Sequence, residues 1–237
     1  MLGKVIEPNL RELELKFSHP ARRRKAVALL RTSLSCKQSC ARVIRRGWDI
    51  SAALCALLLA WPLWLLIALA IKLTDGGPIL YWQYRVGYRG QLFAFPKFRS
   101  MRTDAEQCCA ALNNQHADAR TFKQKNDPRI TRIGRWLRRF SLDEVPQLWC
   151  VFTGDMTLVG PRPPLPREVK LYGLHARQRL EITPGLTCIW QISGRSNIAF
   201  EGQLAMDLQY IQQRSIALDI QILLRTLPAV LRGTGAY

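Results

Sequence analysis

An uninterrupted apolar run covers residues 50–71, ISAALCALLLAWPLWLLIALAI, and contains no charged side chain. As a straight helix it would be about 33 Å long, which is enough to cross a bilayer. Pro62 follows Trp61 near the centre of the run, and an interior proline removes a backbone hydrogen bond and kinks a helix. The pattern therefore predicts a membrane helix that is broken at Pro62.

Basic residues flank this run on both sides: Arg42, Arg45 and Arg46 before it, and Lys72, Arg85 and Arg89 after it. Because basic flanks favour the cytoplasmic side, the charges favour a re-entrant helix whose two ends lie on one side of the membrane. A spanning helix is the alternative, and it would leave the basic N-terminal segment outside. That segment, residues 1–46, is predicted to be a polar tail followed by a basic helix, suited to solvent or to an anionic lipid surface.

Two short β-rich pieces follow, ILYWQYRV and QLFAFPKF, separated by the residues GYRG. They predict a β-hairpin, with Phe93, Phe95 and Lys97 on one face of the second strand. Residues 104–125 are polar and helix-prone, residues 130–140 have a helical pattern, and residues 203–231 form an amphipathic pattern that breaks at Pro228. The predicted fold is α+β, with an N-terminal part (1–46), a membrane helix (47–73) and a helical C-terminal domain (74–237).

Two adjacent carboxylates, Asp143 and Glu144, come directly after a cluster of arginines at positions 132, 135, 138 and 139. Guanidinium groups bind phosphate oxygens, and a carboxylate can attack phosphorus or hold a metal ion. The same residues also fit a capping box, with Ser141 as the N-cap and Glu144 in the first helical turn. Both interpretations are compatible, because a helix N-terminus favours negative charge and binds phosphate.

The formal net charge of +18 over 237 residues indicates a polyanionic partner, which could be nucleic acid, anionic lipid or a phosphorylated substrate. A membrane-tethered basic module that binds lipid or nucleic acid without catalysis would account for this charge. It would not account for a carboxylate pair inside the basic cluster, because such a surface gains nothing from carboxylates there. We therefore favour an enzyme and predict no nucleic-acid partner.

The motifs NDPRITRIGRWLRRFSLDEVPQLW, GDMTLVGPRP and TPGLTCIWQISGR, together with the upstream GPILYWQYRVGYRGQLFAFPKFRSM, occur here in one order. This chain resembles the bacterial sugar transferase family, the monotopic polyprenyl-phosphate phosphoglycosyl transferases, over about residues 45 to 235. The resemblance implies a re-entrant helix, broken here at Pro62, and a catalytic domain on the cytoplasmic face of the bacterial inner membrane. Larger relatives carry four extra transmembrane helices before this domain, so the chain resembles the small form used in exopolysaccharide production.

The resemblance also implies the roles of individual residues. Asp143 would attack the sugar-bearing phosphate of a UDP-sugar and release UMP, while Glu144 would hold Mg²⁺. A polyprenyl phosphate would then attack the phosphosugar-aspartate. The candidates for phosphate binding are Arg138 and Arg162, which match family motifs, and additionally Lys97, Arg99 and Arg85.

The sequence leaves several features of this reaction open. Galactose, glucose and N-acetylated sugars are all compatible with it, and an unmodified hexose is favoured by the exopolysaccharide resemblance. An ordinary glycosyltransferase, moving only the sugar, would release UDP instead of UMP. Homo-oligomerisation is also left open.

Overall fold

The computed structural model describes residues 20–105, 127–233 and 235, with side chains from residue 41 onward except at Asp75 and Ser196. The predicted N-terminal tail and most of the polar stretch 104–125 lie outside these residues. The chain divides into two compact units, Met1–Trp48 and Asp49–Tyr237. The second unit contains both the apolar run and the residues predicted to form the catalytic domain.

The first helix, α1, is Pro20–Asp75, and Pro62 lies inside it. In the described part of the chain, Ala41–Thr74 is long and apolar enough to cross a membrane, with a mean hydropathy of 2.5. The predicted basic helix, residues 22–46, falls within α1. Helix formation on both sides of Pro62 is compatible with a kink, and the re-entrant course of the segment stays a prediction.

The apolar segment contacts the rest of its unit near both of its ends. Ala53 is completely buried in the main core, while Ile67 and Ile71 pack with Phe98 and Leu137 in a separate cluster. Most of the leucines between these two contacts are exposed, namely Leu54, Leu58, Leu59, Leu63, Leu65 and Leu66, while Leu57 packs half-buried against the main core. Since exposed leucines in a row are typical of a surface that meets lipid, the middle of the segment is the part suited to the bilayer.

A two-stranded antiparallel hairpin confirms the prediction for this part of the chain. Strand β1 is Leu80–Val86 and strand β2 is Leu92–Phe98. Their register pairs Arg85 with Phe93 and Tyr81 with Lys97. Because side chains alternate along a strand, Phe93, Phe95 and Lys97 share one face with Arg85. Phe95 is completely buried on that face.

Short helices make up most of the remaining fold: α2 (Arg132–Arg139), α3 (Leu148–Thr153), α4 (Pro166–Lys170), α5 (Leu174–Arg177), α6 (Ile189–Ser193), α7 (Phe200–Gln213) and α8 (Ile216–Arg232). Turns of 3-10 helix lie at Tyr88–Gly90, Leu142–Gln147, Gln178–Glu181 and Arg195–Asn197. The predicted break at Pro228 was wrong, because the pattern breaks at Arg214 and Ser215, and Pro228 lies inside α8. Ser215 caps α8 by accepting a hydrogen bond from the Leu218 amide.

A second, parallel sheet pairs β3 (Thr157–Val159) with β4 (Gly185–Thr187). The backbone after β3 approaches the backbone of β4 so closely that a Cβ on Gly185 would lie 2.0 Å from the Gly160 amide nitrogen. Only glycine fits at such an approach. This contact fixes the start of the loop that follows β3, residues 160–164, which carries Arg162.

Candidate active site

A cleft of about 1380 Å³ lies among the hairpin, the 3-10 turn Leu142–Gln147, the loop 160–164 and helices α6 and α8. Every predicted polar site residue lines it: Asp143, Glu144, Arg138, Arg162, Lys97, Arg99 and Arg85. Residues that are far apart in sequence thus meet in one cavity. The cleft is large enough for a nucleotide-sized ligand and a second substrate group.

The 3-10 turn Leu142–Gln147 places the two carboxylates at the cleft. Ser141 precedes it in the left-handed conformation, with φ 52° and ψ 23°, and its side chain makes no capping hydrogen bond. The predicted capping box was therefore wrong. With Ser141 in this left-handed conformation the capping bond is not made, and the Glu144 side chain is bound by cations instead. A non-glycine residue in the left-handed region, two positions before a carboxylate pair, is the kind of strained position that clusters at functional sites.

Glu144 is held by two cations on the same oxygen. Arg162 Nη2 donates to Glu144 Oε1 at 2.6 Å, and Lys97 Nζ lies 3.4 Å from that atom. Burial alone would raise the pKa of Glu144, but the charges of Arg162 and Lys97 outweigh burial and hold this pKa below its ordinary value. Glu144 is therefore ionised at neutral pH and aligns both cations at the cleft.

Asp143 is the more buried carboxylate, with only 6% of its surface exposed. Burial, and then the charge of neighbouring Glu144, raise the pKa of Asp143 above its ordinary value. A higher pKa means a more basic and more nucleophilic carboxylate, provided that it is deprotonated. Environments that shift two adjacent carboxylates in opposite directions are typical of a pair that divides its roles.

Arg138 reaches the cleft from α2. Its Nε donates to the Ser100 hydroxyl at 2.9 Å, and burial lowers the pKa of this guanidinium. Helix α2 packs directly on the Ser100 backbone, since the Thr131 amide donates to the Ser100 carbonyl at 3.1 Å and a Cβ on Gly134 would lie 1.9 Å from that oxygen. Ser100 thus orients Arg138, a contact that the sequence did not predict.

Arg85 fixes the hairpin against the loop 160–164. Its Nη1 donates to the Pro163 carbonyl at 3.1 Å, and the Val86 amide donates to the Pro164 carbonyl at 2.9 Å. Burial, and then the charge of Arg162, lower the pKa of Arg85 to about 10. The Phe95 ring lies 5.1 Å from the Arg85 guanidinium and 5.4 Å from Lys97 Nζ. One buried aromatic ring thus packs against both cations.

Arg99 lies elsewhere on the cleft wall. It is buried, and a Cβ on Gly77 would lie 2.4 Å from its Nη1. The guanidinium therefore packs against the backbone that follows α1. Its predicted role in phosphate binding stays a prediction.

Two further parts of the cleft were not predicted. Arg179 forms a buried ion pair with Asp207 and donates to the Tyr172 hydroxyl at 3.1 Å. Arg195, in the left-handed conformation with φ 53°, lines the cleft after α6. Its position at the end of the motif QISGR was the available sequence signal. The pair of Arg179 and Asp207 had none, because 28 residues separate the partners.

The described residues contain no group of three or more histidine, cysteine or acidic side chains that could hold a metal ion. Mg²⁺, however, is usually bound through one or two carboxylates together with substrate phosphates and water. Asp143 and Glu144 provide such carboxylates beside cations suited to a diphosphate. The residues therefore fit a Mg²⁺ ion shared with a substrate and do not fit a site made of protein ligands alone.

Comparison with known proteins places this geometry in context. The profile of the family described as bacterial sugar transferase matches residues 40–233. The chain is 46% identical to the galactosyl transferase CpsE of Streptococcus agalactiae over 82% of its length, and 41% identical to the exopolysaccharide production protein ExoY of Rhizobium meliloti over 81%. It is 39% identical to the undecaprenyl-phosphate galactose phosphotransferase of Salmonella typhimurium over 95%.

The matched share of these relatives differs. The chain covers 43% of CpsE and 47% of the Salmonella protein, but 88% of ExoY. It thus spans less than half the length of two of these relatives and most of the third.

Proposed function

We propose a function from one premise, which is that this chain belongs to the bacterial sugar transferase family. The proposed activity is that of a phosphoglycosyl transferase, which moves a hexose-1-phosphate from a UDP-sugar to polyprenyl phosphate and releases UMP. The names of similar proteins, an undecaprenyl-phosphate galactose phosphotransferase and an exopolysaccharide production protein, support this acceptor and this pathway class.

The observation that carries the proposal is the opposed pair of carboxylates inside a cationic cleft. Asp143 has the raised pKa of a nucleophile, and Glu144 is bound to Arg162 and Lys97. A diphosphate entering the cleft would meet both cations, which would stabilise the charge that develops on its oxygens.

The proposed reaction has two steps. In the first, a carboxylate oxygen of Asp143 forms a bond to the sugar-bearing phosphorus while the bond from that phosphorus to the UMP oxygen breaks. In the second, a phosphate oxygen of the polyprenyl phosphate attacks the same phosphorus and the bond to Asp143 breaks. The products are UMP, a polyprenyl-diphosphate-linked sugar and free Asp143, so the route is of the ping-pong type.

The cations of the cleft have separate tasks in this scheme. Arg162 and Lys97 neutralise the diphosphate from the side of Glu144, and Arg138 does so from the side of Ser100. A Mg²⁺ ion held by Glu144 together with the substrate would act as a Lewis acid on the phosphoryl oxygens. Binding of the metal through Glu144 requires only the carboxylate oxygen that the two cations leave open.

The proposed location is the bacterial inner membrane, with the cleft on the cytoplasmic face and α1 entering and leaving through one leaflet. Buried contacts near both ends of the apolar segment, at Ala53 and at Ile67 and Ile71, support this course. A spanning helix would separate its two ends by the bilayer core of about 30 Å, and only one of them could then contact a domain on one side. Pro62 lies between the two contacts.

UMP release tests the proposed function. Purified protein in detergent is supplied with Mg²⁺, polyprenyl phosphate and a panel of UDP-hexoses and N-acetylated UDP-sugars. We expect UMP from one donor and none from the Asp143→Asn variant. Asp155→Asn, at an exposed position away from the cleft, is the matched control and should keep its activity.

The identity of the nucleotide product decides between reaction types. Release of UDP would show transfer of the sugar alone and would refute the proposal. Retention of full activity in Asp143→Asn would refute the covalent step. A product analysis by mass should find the sugar-1-phosphate attached to Asp143 when the acceptor is withheld.

A further inference from the structure

Helix α8 presents three distinct faces. At about 100° per residue, the positions of Leu218, Ile222 and Thr226 fall on one side, and this side packs into the fold. A second side, about 80° wide, carries an apolar stripe that is exposed to between 41% and 72%: Ile216, Ile220, Leu224, Leu227 and Leu231. A third side, between the stripe and the buried side, carries Arg225 and Arg232.

The arginine side of α8 lines a small pocket. Its volume is about 440 Å³, and its other walls are the end of α6 and the turn at Gly194 and Arg195. Three guanidinium groups, from Arg195, Arg225 and Arg232, line this pocket, and within the described part of the chain no carboxylate does. Like charges held close together repel one another, and a bound anion would relieve this repulsion.

None of these three arginines forms an ion pair or side-chain hydrogen bond with another described residue. Two other arginines of the cleft do form ion pairs: Arg162 with Glu144, and Arg179 with Asp207. Fork-shaped guanidinium donors without a protein partner are suited to phosphate oxygens. The pocket therefore has the chemistry of a phosphate site. Arg225 and Arg232 line it without lining the cleft, whereas Arg195 also feels the charges of Glu144 and Asp143.

The pocket adjoins both the cleft and the apolar stripe. Arg195 lines the pocket and the cleft alike. On the other side, Arg225 and Arg232 follow the stripe around α8, and Ile222 of α8 shares a core cluster with Ala53 of the apolar segment. An exposed apolar stripe with a basic border is typical of a helix that lies at a membrane surface.

We propose, on the basis of the proposed function, that the pocket of Arg195, Arg225 and Arg232 binds the phosphate of the polyprenyl phosphate acceptor. The isoprenoid chain of this acceptor stays in the bilayer, so its phosphate can reach the cleft only from a side that faces the membrane. The stripe of α8 marks that side. Arg195, shared by both cavities, lies on the path from the pocket to the phosphorus bound to Asp143.

The two half-reactions separate this proposal from the proposed function. Without acceptor, UMP released by stoichiometric amounts of protein reports the first step alone. With acceptor varied in a neutral detergent, the KM for polyprenyl phosphate reports the second substrate. For Arg225→Gln/Arg232→Gln we expect stoichiometric UMP release as in the wild type and an acceptor KM raised roughly tenfold or more, because two charge-assisted phosphate contacts are lost.

A matched variant controls for charge. Arg132→Gln/Arg135→Gln removes the same two positive charges from exposed positions on α2 that line neither cavity. Its acceptor KM should equal that of the wild type. If the glutamine variant of α8 does not fold, Arg225→Lys/Arg232→Lys replaces it, with an expected rise in acceptor KM of about threefold.

Three results would overturn the proposal. The first is an unchanged acceptor KM in the α8 variant. The second is a loss of stoichiometric UMP release in that variant, which would assign the arginines to the donor. The third is an effect seen only in vesicles containing phosphatidylglycerol and not in neutral detergent, which would assign them to bulk anionic lipid. A wild-type protein that releases no UMP would instead refute the proposed function.

Discussion

We expect the charged side chain of Lys97 to lower the free energy of unfolding of this protein. Its ammonium group lies beside the Phe95 ring, and the carboxylate oxygen that it contacts, Glu144 Oε1, is shared with Arg162. Burial lowers the pKa of Lys97 from 10.5 to about 8, although Glu144 opposes this change. At about 1.4 kcal/mol per pKa unit, this decrease in the pKa of Lys97 means that the charged amine destabilises the folded state by about 3 kcal/mol.

The substitution Lys97→Met removes the charge and keeps most of the side-chain volume. We expect the free energy of unfolding at pH 7 to rise by about 1–3 kcal/mol, because the cost of burying the charge exceeds the attraction to Glu144 that the lowered pKa already includes. UMP release should fall by at least about tenfold, because a cation that faces the diphosphate is lost. The exposed Lys170→Met on α4 is the control and should change neither quantity.

The pH dependence identifies the cause. Below pH about 8 the amine is charged in both the folded and the unfolded chain, so the destabilisation is fully present. Between about 8 and 10.5 the folded protein releases its proton first, and the destabilisation fades. The stability difference between variant and wild type, measured by thermal unfolding in detergent, should therefore be largest at pH 7 and shrink by pH 9.5. A difference that favours the wild type at pH 7, or that stays constant with pH, would refute this reasoning.

Three further outcomes are expected. Arg162→Lys should lower kcat for UMP release roughly 100-fold, or about 3 kcal/mol, because an ammonium group cannot replace the guanidinium bound to Glu144; a loss below tenfold would contradict this. The rate of stoichiometric UMP release should fall as the pH decreases, with an apparent pKa above that of an ordinary aspartate, because Asp143 must be deprotonated to attack. In Glu144→Gln this fall in rate should occur at lower pH, since the variant removes one cause of the raised pKa of Asp143. Gly134→Ala should lower the free energy of unfolding by about 1–3 kcal/mol, because the new Cβ would collide with the Ser100 carbonyl. The kcat should fall as well, since Ser100 orients Arg138. Unchanged unfolding would show that α2 can shift at no cost.

Local patterns predicted the parts of the fold that depend on neighbouring residues. The alternation in ILYWQYRV and QLFAFPKF predicted the hairpin and the shared face of Phe95 and Lys97, and both are present. The helical spacing in residues 130–140 likewise predicted α2. In these segments, backbone preference and burial favour the same structure, so the sequence is locally consistent.

Contacts across long sequence separations could not be predicted in this way. Nothing adjacent to Glu144 indicates that Arg162 and Lys97 would share one of its oxygens, since 18 and 47 residues separate the partners. Asp49, which directly precedes the apolar run in the sequence, is likewise buried and accepts a hydrogen bond from the Leu158 amide at 3.0 Å, although 109 residues separate the two. Tertiary contacts also decided the local structure at Ser141, where the capping box predicted from the sequence gave way to a left-handed turn.

The bond between Asp49 and Leu158 has a kinetic consequence. It ties the start of the apolar segment to strand β3, next to the loop that carries Arg162, so in the membrane arrangement that we propose the cleft stays at one fixed height above the lipid. Encounter with a lipid-borne acceptor then becomes a two-dimensional search, governed by surface density instead of bulk concentration. If inert lipid is added while the total amount of acceptor stays constant, turnover should slow down, because the surface density of the acceptor falls. The rate of the first step, with a water-soluble donor, should not depend on the amount of lipid.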